Sequence, residues 1–171
     1  MADKLCVSVL SREFEKQSFH CGEPSLDNYL QRTAGQDSRR QLSVCYVLHR
    51  QASAEVMGFY TLSSFAIMAE ELREPYRRKL PYPRIPATLL GRLAVDLTHQ
   101  GKKLGEFLLM DALRRSLASA ADIGSHGVVV DCPHEKAAQF YAGYEFEPLQ
   151  SGSHQRLLLP MKKVADLFSA P

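Results

Sequence analysis

The chain has 171 residues, of which 45% are hydrophobic, and it carries 21 lysines and arginines against 19 aspartates and glutamates. This composition excludes an intrinsically disordered chain, and no apolar run approaches the ~20 residues of a membrane-spanning helix. We expect one domain over residues 1–171 and, because the amino terminus has no signal-peptide pattern, a soluble cytoplasmic protein.

The first half of the chain predicts strands around one helix. Leu5–Leu10 alternates apolar and polar residues, which is typical of a strand with one buried face. Val44–Leu48 and Val56–Met68 are rich in β-branched and aromatic residues and predict two further strands. Ser25 can cap a helix between the first strand and the second. The apolar face of that helix would hold Leu26, Tyr29, Leu30 and Thr33.

The second half predicts alternating strands and helices. Leu93–Val95 predicts a buried strand that ends at Asp96, and Gly127–Asp131 predicts a parallel strand covered on both faces. A helix is expected over about Glu135–Tyr141 and a last strand over Arg156–Leu159. This order indicates an α/β sheet with at least one parallel pair of strands.

A longer amphipathic helix follows the strand that ends at Asp96. Its apolar face holds Leu108, Leu109, Ala112, Leu113 and Leu117. The opposite, polar face holds Lys103, Asp111, Arg114 and Arg115. A helix with this division of residues is expected to pack on a sheet.

The loop before this helix, Gln100-Gly-Lys-Lys-Leu-Gly105, carries the strongest chemical signal. Backbone amides in the first turn of a helix have no internal partner and can receive a phosphate, and glycines let the backbone approach it. Two glycines with this spacing are also typical of an ordinary turn from strand to helix. The loop matches neither the P-loop nor the Rossmann pattern, so the loop alone leaves both interpretations open.

Basic residues are concentrated between Arg73 and Arg92, where Glu74 is the single acid. They are Arg73, Arg77, Arg78, Lys79, Arg84 and Arg92. Four prolines stiffen the same stretch. The pattern fits a solvated connection, and it also fits an electrostatic footprint for phosphate groups.

The cysteines and histidines form no metal-binding pattern. Cys6, Cys21, Cys45 and Cys132 lie too far apart in sequence for a structural zinc site. The six histidines form neither an HExxH nor an HxxxH motif. We therefore expect thiols without a redox role and no bound metal.

The loop and the carboxyl-terminal segment together resemble the GCN5-related N-acetyltransferases. The pyrophosphate loop of that family has the form Q/R-x-x-G-x-G/A, and Gln100, Lys103 and Gly105 fall on its key positions. Phe140-Tyr-Ala-Gly-Tyr-Glu-Phe146 is similar to the family's F-Y-x-x-x-G-F segment. The resemblance implies a mixed, mostly antiparallel central sheet with flanking helices. It also implies a parallel strand pair that splays apart to admit the pantetheine arm of acetyl-CoA.

A closer similarity is to the acetyltransferase toxins of bacterial toxin–antitoxin pairs, of the TacT and AtaT type. The similar blocks, in chain order, are Phe19–Gly22, Leu26–Leu30, Gly58–Ser63, Ile85–Pro86, Leu90–Asp96 and Arg156–Met161. This resemblance implies a toxin that acetylates the amino acid esterified to transfer RNA and so blocks translation. It further implies a homodimer and a cognate ribbon-helix-helix antitoxin, with no role for a membrane.

The resemblance also implies roles for individual residues. Tyr141 matches the catalytic tyrosine that protonates the departing thiolate, and a main-chain amide on the strand ending at Val95 would polarise the thioester carbonyl. The acetyl-CoA site would comprise Leu93, Ala94, Val95, Gln100, Gly101, Lys102, Lys103, Leu104 and Gly105, with no metal. The RNA backbone would be bound by Arg77, Arg78, Lys79, Arg84 and Arg92.

No side chain stands out as a general base. Asp96 and Glu135 are candidates, although an aspartate at the end of a strand also fits a cap or a loop anchor. An α-amino group titrates near ~8 and a lysine near ~10.4, so an α-amine needs less help to lose its proton. That contrast favours an α-amine as the acetyl acceptor.

Two residues depart from the family pattern, because Lys103 and Glu145 stand where the family has glycine. A left-handed backbone at either residue costs about 1 kcal/mol or more, whereas a residue in the first helical turn costs little. Lys103 can also add a cation beside the pyrophosphate. Two alternatives stay open. The first is an acetyltransferase of protein N-termini, polyamines or other small amines, and the second is a catalytically degenerate module that binds CoA or an antitoxin.

Overall fold

A computed structural model describes residues 3–149 and 156–169. Its strands are β1 (Leu5–Val9), β2 (Val44–Arg50), β3 (Gly58–Met68), β4 (Arg84–Val95), β5 (Gly127–Asp131), β6 (Glu147–Pro148) and β7 (Arg156–Pro160). They form one sheet of seven strands in the order β1-β2-β3-β4-β5-β7-β6. β4 and β5 are parallel, whereas β1–β2, β2–β3, β5–β7 and β6–β7 are antiparallel. The expected mixed, mostly antiparallel α/β sheet is confirmed.

Six α-helices connect or flank the strands in the described part of the chain. They are α1 (Pro24–Asn28), α2 (Ala34–Arg39), α3 (Tyr76–Lys79), α4 (Leu104–Ala120), α5 (Glu135–Ala142) and α6 (Met161–Ser169). Among the residues that the structure describes, none of the helices has both the length and the apolar character needed to span a bilayer. The chain divides into two compact units. The first unit contains the residues up to Ser63 together with Gly91–Ala112, and the second contains Ser64–Leu90 and the residues from Leu113 onward.

The first unit has its core under the antiparallel strands β1, β2 and the start of β3. The β1–β2 register places Leu5 opposite Arg50, and the β2–β3 register places Val44 opposite Leu62. The ring of Phe59 lies between two other aromatic rings, with centroids 5.4 Å from Phe19 and 6.4 Å from Tyr29. The buried cluster consists of Phe19, Tyr29, Leu30, Ala34, Cys45, Val47, Val56, Phe59 and Ala94.

The helix predicted after Ser25 differs from the structure in its N-cap residue and in its helical type. Glu23 is the N-cap and a proline occupies the first helical position, so Ser25 is not the cap. Proline is favoured there because its ring fixes φ and its missing N–H needs no partner. Tyr29–Thr33 form a π-helical turn between α1 and α2. This wider turn rotates the helix face, so Thr33 is exposed and Ala34 is buried in its place.

The second unit has its core under β5 and β7. The parallel register pairs Thr88–Leu90 of β4 with Val128–Val130 of β5, and β7 covers the other edge of β5. The predicted strand Gly127–Asp131 is confirmed with its bounds, and its three valines are fully buried. The second buried cluster consists of Ile67, Leu72, Ile85, Ala87, Val129, Leu149 and Leu158.

β4 is much longer than the predicted strand Leu93–Val95, because it begins at Arg84 and includes Pro86. A proline lacks an amide donor but keeps its carbonyl, and the Pro86 oxygen accepts a hydrogen bond of 2.8 Å from the His126 amide. The predicted amphipathic helix is confirmed as α4, with Leu108, Leu109, Ala112 and Leu113 fully buried. It begins at Leu104, however, so Lys103 lies outside the helix. The short elements α3, α6 and β6 were not predicted.

Candidate active site

The loop between β4 and α4 belongs to the first unit and contains two left-handed residues. Gly101 has a φ of 80° and Lys103 a φ of 61°, and Lys102 between them is not left-handed. Alternating hands of this kind turn successive amide N–H groups toward one concave side, which suits an anion. A side chain at Gly101 would meet no atom within 4 Å, so the loop is open at this point.

The amino terminus of α4 adds further amide donors. The first hydrogen bond of the helix runs from the Phe107 amide to the Lys103 oxygen at 3.1 Å. The amides of Leu104, Gly105 and Glu106 therefore have no acceptor within the helix. α4 has 17 residues, so its first turn carries the positive end of a full helix dipole. The loop and the helix start together can receive a diphosphate.

Gln100 has a different role from the one that its motif position indicates. Its side-chain Nε2 donates to the Cys21 oxygen at 3.0 Å and to the Val95 oxygen at 2.9 Å. The side chain therefore ties the loop to the end of β4 and to the segment before α1. Gln100 thus positions the loop, and anion binding by the backbone from Gly101 onward stays a prediction.

Asp96 anchors the start of the same loop. Its carboxylate accepts hydrogen bonds from Thr98 N at 3.0 Å, Thr98 Oγ1 at 2.6 Å and His20 N at 2.9 Å. Burial alone would raise the pKa of Asp96, but these hydrogen bonds outweigh it and the pKa lies below its usual value. An ionised carboxylate with three donors is a poor general base. Glu135, the other candidate, is an exposed residue in the first turn of α5.

A buried carboxylate that the sequence did not indicate, that of Asp27, lies beside this anchor. His20 Nδ1 is 2.8 Å from Asp27 Oδ2, and the Asp27 side chain is only 7% exposed. The other Asp27 oxygen accepts from the Cys21 amide at 2.8 Å. This bond to Asp27 fixes Cys21, whose oxygen receives the Gln100 side-chain amide. An aspartate in a first helical turn is common, so its sequence position alone does not mark this role.

The end of β4, where a thioester would be polarised, is closely packed on one side. Ala94 is buried, whereas Leu93 and Val95 are half-buried and belong to the opposite face of the strand. A Cβ at Gly58 would lie 2.9 Å from the Ala94 oxygen and 2.9 Å from the Leu108 side chain. Glycine is therefore required at this position of β3. The strand backbone that carries the candidate amide is held firmly.

Arg92, the remaining candidate in the first unit, is engaged with an aromatic ring. Its guanidinium lies 3.5 Å from the ring centroid of Tyr29, and the Tyr29 hydroxyl donates to Asp37 at 2.9 Å. Arg92 is half-buried, and the cation–π contact orients its side chain. Any contact of Arg92 with RNA stays a prediction.

Tyr141 lies in the second unit, on the predicted helix α5. It is 7% exposed, and its ring packs edge-on against Phe140 and Phe146 at centroid distances of 5.1 and 5.3 Å. Burial, with a smaller contribution from Cys132, raises the pKa of Tyr141 well above its ordinary value. The phenol therefore stays protonated at neutral pH, as a proton donor must. Burial also raises the pKa of the Cys132 thiol to about 11.

The turn after α5 holds the backbone of Tyr141. The Phe146 amide donates to the Tyr141 oxygen at 3.3 Å, and the Glu145 amide donates to the Ala142 oxygen at 3.1 Å. This pair of bonds is a Schellman motif, which places Glu145 at the position that favours glycine. Glu145 accordingly has a φ of 70°. The contact between the Tyr141 and Phe146 rings completes the motif.

Four of the candidate RNA-binding residues belong to the second unit. Arg77, Arg78 and Lys79 form the exposed helix α3, and Arg84 is exposed at the start of β4. Arg78 pairs with Glu74 at 3.2 Å, which leaves most of the positive charge of the helix facing solvent. The structure thus gives these four residues the exposure that an RNA backbone requires.

Metal ligands are not assembled in the parts of the chain that the structure describes. No three His, Cys, Asp or Glu side chains within residues 3–149 and 156–169 form a group that could hold a metal ion. The four cysteines are free thiols. His154, one of the histidines considered above, lies outside the described residues.

Comparison with known proteins places these features in a family. No protein-family model matches the chain. A tRNA-acetylating toxin of Mycobacterium tuberculosis is 40% identical over 151 residues, which cover 88% of this chain and 89% of the relative. A protein of Sinorhizobium fredii named "Probable toxin TacT" is 30% identical over 162 residues, which cover 90% of this chain and 89% of the relative.

Solved structures of related toxins are similar to this chain over nearly its whole length. AtaT complexed with acetyl-methionyl-tRNAfMet has a TM-score of 0.90 and 30% identity, covering 97% of this chain and 100% of that one. A mutant of KacT has a TM-score of 0.91 and 27% identity, covering 96% and 99%. A tyrosine-to-phenylalanine mutant of AtaT, bound to acetyl-CoA and to the C-terminus of the antitoxin AtaR, has a TM-score of 0.83 and 28% identity, covering 98% and 100%.

Proposed function

The chain belongs to the acetyltransferase toxins of bacterial toxin–antitoxin systems, and on this premise we propose that it transfers acetyl from acetyl-CoA to the α-amino group of aminoacyl-tRNA. An acetylated amine cannot form a peptide bond, so the reaction would stop translation in the cytoplasm. The observation that carries this proposal is the left-handed loop at Gly101 and Lys103, which leads into the amino terminus of α4.

Acetyl-CoA would be held by two parts of the first unit. The amides of Gly101–Gly105 would donate to the diphosphate, and the Lys103 ammonium would add a cation beside it. The half-buried edge of Leu93–Val95 would pair with the pantetheine arm through main-chain hydrogen bonds. Gln100 and Asp96 would act indirectly, because their side chains bind protein groups and fix the loop.

The transfer requires one bond to form and one to break. The neutral amine attacks the thioester carbonyl, whose oxygen would accept a hydrogen bond from a main-chain amide of Leu93–Val95. The carbon–sulfur bond then breaks, and Tyr141 gives its phenolic proton to the departing thiolate. A phenol is protonated at physiological pH even with its ordinary pKa near ~10, so the proton is present for this transfer. The amine releases its own proton to water.

The acceptor amine needs no dedicated general base. An α-amino group has a pKa near ~8, so an appreciable fraction is neutral at pH 7. Asp96 is saturated by hydrogen bonds, and Glu135 is exposed to solvent. This absence of a base among the candidates supports an α-amine over a lysine side chain. The RNA backbone would contact Arg77, Arg78, Lys79, Arg84 and Arg92, and binding would weaken as salt rises.

Two partners complete the proposal. We propose a homodimer and a cognate antitoxin of the ribbon-helix-helix type. AtaT has been solved with its antitoxin AtaR, and KacTA has been solved with DNA, which supports an antitoxin partner for this chain. Sedimentation of the purified chain with and without the antitoxin encoded beside it would test both partners. A monomer at micromolar concentration would contradict the dimer.

The experiment that tests the function is acetyl transfer from labelled acetyl-CoA to competing acceptors. A pool of charged tRNA, a peptide with a free N-terminus and a polyamine are offered to the same enzyme. We expect label on charged tRNA and at most traces on the other two. Label on the peptide or polyamine alone would support a small-amine or N-terminal acetyltransferase. The Lys103→Gly/Glu145→Gly double variant tests degeneration, because a large gain in rate over the natural chain would support a degenerate module.

A further inference from the structure

A pair of side chains outside the acetyl-transfer site lies on the antiparallel strands β1 and β2 of the first unit. Ser8 Oγ is 2.8 Å from His49 Nε2, and His49 Nδ1 is 2.9 Å from the Arg50 oxygen. A carbonyl oxygen can only accept a hydrogen bond, so Nδ1 carries the proton of the neutral ring. Nε2 is then the acceptor, and the Ser8 hydroxyl must donate to it. This is the direction in which a histidine activates a serine nucleophile, with the carbonyl in the place of the orienting acid.

The imidazole of this pair is shielded, while the hydroxyl is reachable. His49 is 9% exposed, and the Phe14 ring covers it with a centroid distance of 4.8 Å. Ser8 is half-exposed on β1. Water therefore competes poorly for Nε2, and the Ser8 hydroxyl keeps its bond to the histidine. A small molecule can still approach the serine oxygen.

A small molecule can reach the Ser8 oxygen through an open cavity of about 490 Å³. Its walls include Ser8 and His49 themselves and the apolar side chains of Val9, Phe14 and Ala54. Glu13 is the acidic residue of the lining, and no lysine or arginine lines it. A carboxylate or phosphate would meet one negative charge and no compensating cation there. The cavity suits small molecules that are uncharged or cationic and that carry an apolar group.

We propose that Ser8 is an activated nucleophile that hydrolyses small uncharged or cationic carboxylic esters in this cavity. The Ser8 oxygen bonds to the ester carbonyl carbon while His49 Nε2 takes the hydroxyl proton. The carbon–oxygen bond to the alcohol then breaks, and the alcohol leaves with that proton. Water attacks the acylated Ser8 with His49 again as base, which releases the carboxylic acid and restores the serine. The activity uses no residue of the acetyl transfer proposed above and does not depend on it.

The test uses the full chain with p-nitrophenyl acetate, an uncharged ester whose alcohol is coloured. We expect continuous release of nitrophenol, a loss of at least ~10-fold in Ser8→Ala and in His49→Gln, and an unchanged rate in Ser64→Ala, an exposed serine of β3. Undiminished hydrolysis by Ser8→Ala overturns the proposal, and because a serine on a partly exposed strand position tolerates alanine, this variant is expected to fold.

A covalent probe identifies the nucleophile independently. A fluorophosphonate incubated with the natural chain should modify Ser8, as located by peptide mass spectrometry, and should leave Ser8→Ala unmodified. Prior saturation with acetyl-CoA should not change the labelling. Modification at a different residue, or equal labelling of Ser8→Ala, contradicts the assignment. An ester with an anionic acyl group should react more slowly than p-nitrophenyl acetate, and an equal rate would overturn the substrate class.

Discussion

Lys103 and Glu145 occupy comparable places in the two units and differ in what they support. Each has a left-handed backbone, with φ of 61° and 70°, at a position where the resemblance indicates glycine. Lys103 precedes the amino terminus of α4, and Glu145 follows the carboxyl terminus of α5. Both charges oppose the helix dipole, because a cation stands at the positive end and an anion at the negative end. Each residue therefore destabilises its helix end in two ways.

The two unfavourable charges differ in what offsets them: a bound ligand at Lys103 and a protein side chain at Glu145. At Lys103 the unfavourable cation would become favourable if a diphosphate occupied the loop, as we propose. At Glu145 the neighbour is a protein cation: the pKa of Lys163 is raised, mainly by its hydrogen bond to Glu147 and also by the charge of Glu145. The turn at Glu145 holds the backbone of Tyr141. We infer that strain at Lys103 serves acetyl-CoA binding, whereas strain at Glu145 serves only the turn.

The largest effect is expected from Tyr141→Phe. Removing the phenolic proton should lower the turnover of acetyl transfer by about 100-fold or more, since general acid catalysis contributes ~10²–10⁴. The affinity for acetyl-CoA should stay nearly unchanged, because the proposed donors to the diphosphate are main-chain amides of Gly101–Gly105. Steady-state kinetics and calorimetry measure the two quantities. Tyr144→Phe, on the adjacent turn, is the matched control and should keep full turnover; an active Tyr141→Phe would remove the tyrosine from the mechanism.

Next in size is the charge reversal Lys103→Glu. A carboxylate beside the diphosphate should weaken acetyl-CoA binding by about 10-fold or more, whereas Lys103→Gly should weaken it only a few-fold while relieving the left-handed strain. Turnover at saturating acetyl-CoA should change little in both. Calorimetric titration of the two variants provides the measurement. Equal affinities for lysine, glycine and glutamate would show that the side chain is remote from the ligand.

Asp96→Asn should lower stability by about 1–3 kcal/mol. The His20 N–H now donates a hydrogen bond to the carboxylate, and in the variant it would face the NH2 group of the amide, which cannot accept. The effect also predicts a pH dependence. The folded pKa of Asp96 is lowered, so its contribution is complete above the unfolded value of ~3.9 and is lost as pH falls through the folded pKa. Denaturant melts from pH 7 to pH 2 measure the free energy of unfolding of the natural chain and of the variant. The difference between the two free energies should shrink below about pH 4. A difference in unfolding free energy that stays constant with pH would contradict the role of the ionised Asp96 carboxylate as a loop anchor.

The smallest effect is expected from Glu145→Gly. Relief of the left-handed strain and of the charge at the end of α5 should raise stability by about 0.5–1 kcal/mol, after the greater freedom of glycine in the unfolded chain is included. Acetyl transfer should be unchanged. A thermal melt and a turnover assay on the same sample test both statements. A marked gain in turnover would contradict the view that Glu145 affects the turn alone.

Sequence patterns predicted the elements whose buried residues follow a regular pattern along the chain. β5 was predicted with its bounds because a strand buried on both faces is a continuous apolar run, and α4 was predicted from its apolar periodicity. The π-helical turn at Tyr29–Thr33 was missed, because one extra residue in a turn leaves no compositional mark. The cap at Ser25 was wrong for a related reason, since the proline before it had already fixed the first helical turn.

The sequence indicated the loop as a candidate site, which stays a prediction, and it did not indicate the contacts that the loop side chains make. The glycines and the resemblance located the loop at Gln100–Gly105, yet the contacts of Gln100 with Cys21 and of Asp96 with His20 join residues far apart in sequence. Such partners are set by the fold, so no local pattern reveals them. The left-handed backbone at Lys103 and Glu145 was only one of two alternatives until the dihedral angles were known.

The most direct test of the account compares acetyl-CoA with S-acetylpantetheine, which has the same thioester and lacks the diphosphate. The backbone donors at Gly101–Gly105 should make the diphosphate the main source of affinity. Calorimetry on the full chain is predicted to show tight binding of acetyl-CoA and at least ~100-fold weaker binding of S-acetylpantetheine, a difference of about 2.7 kcal/mol. Equal affinities, or no heat with acetyl-CoA, would contradict the central claim that this loop binds the diphosphate of the acetyl donor.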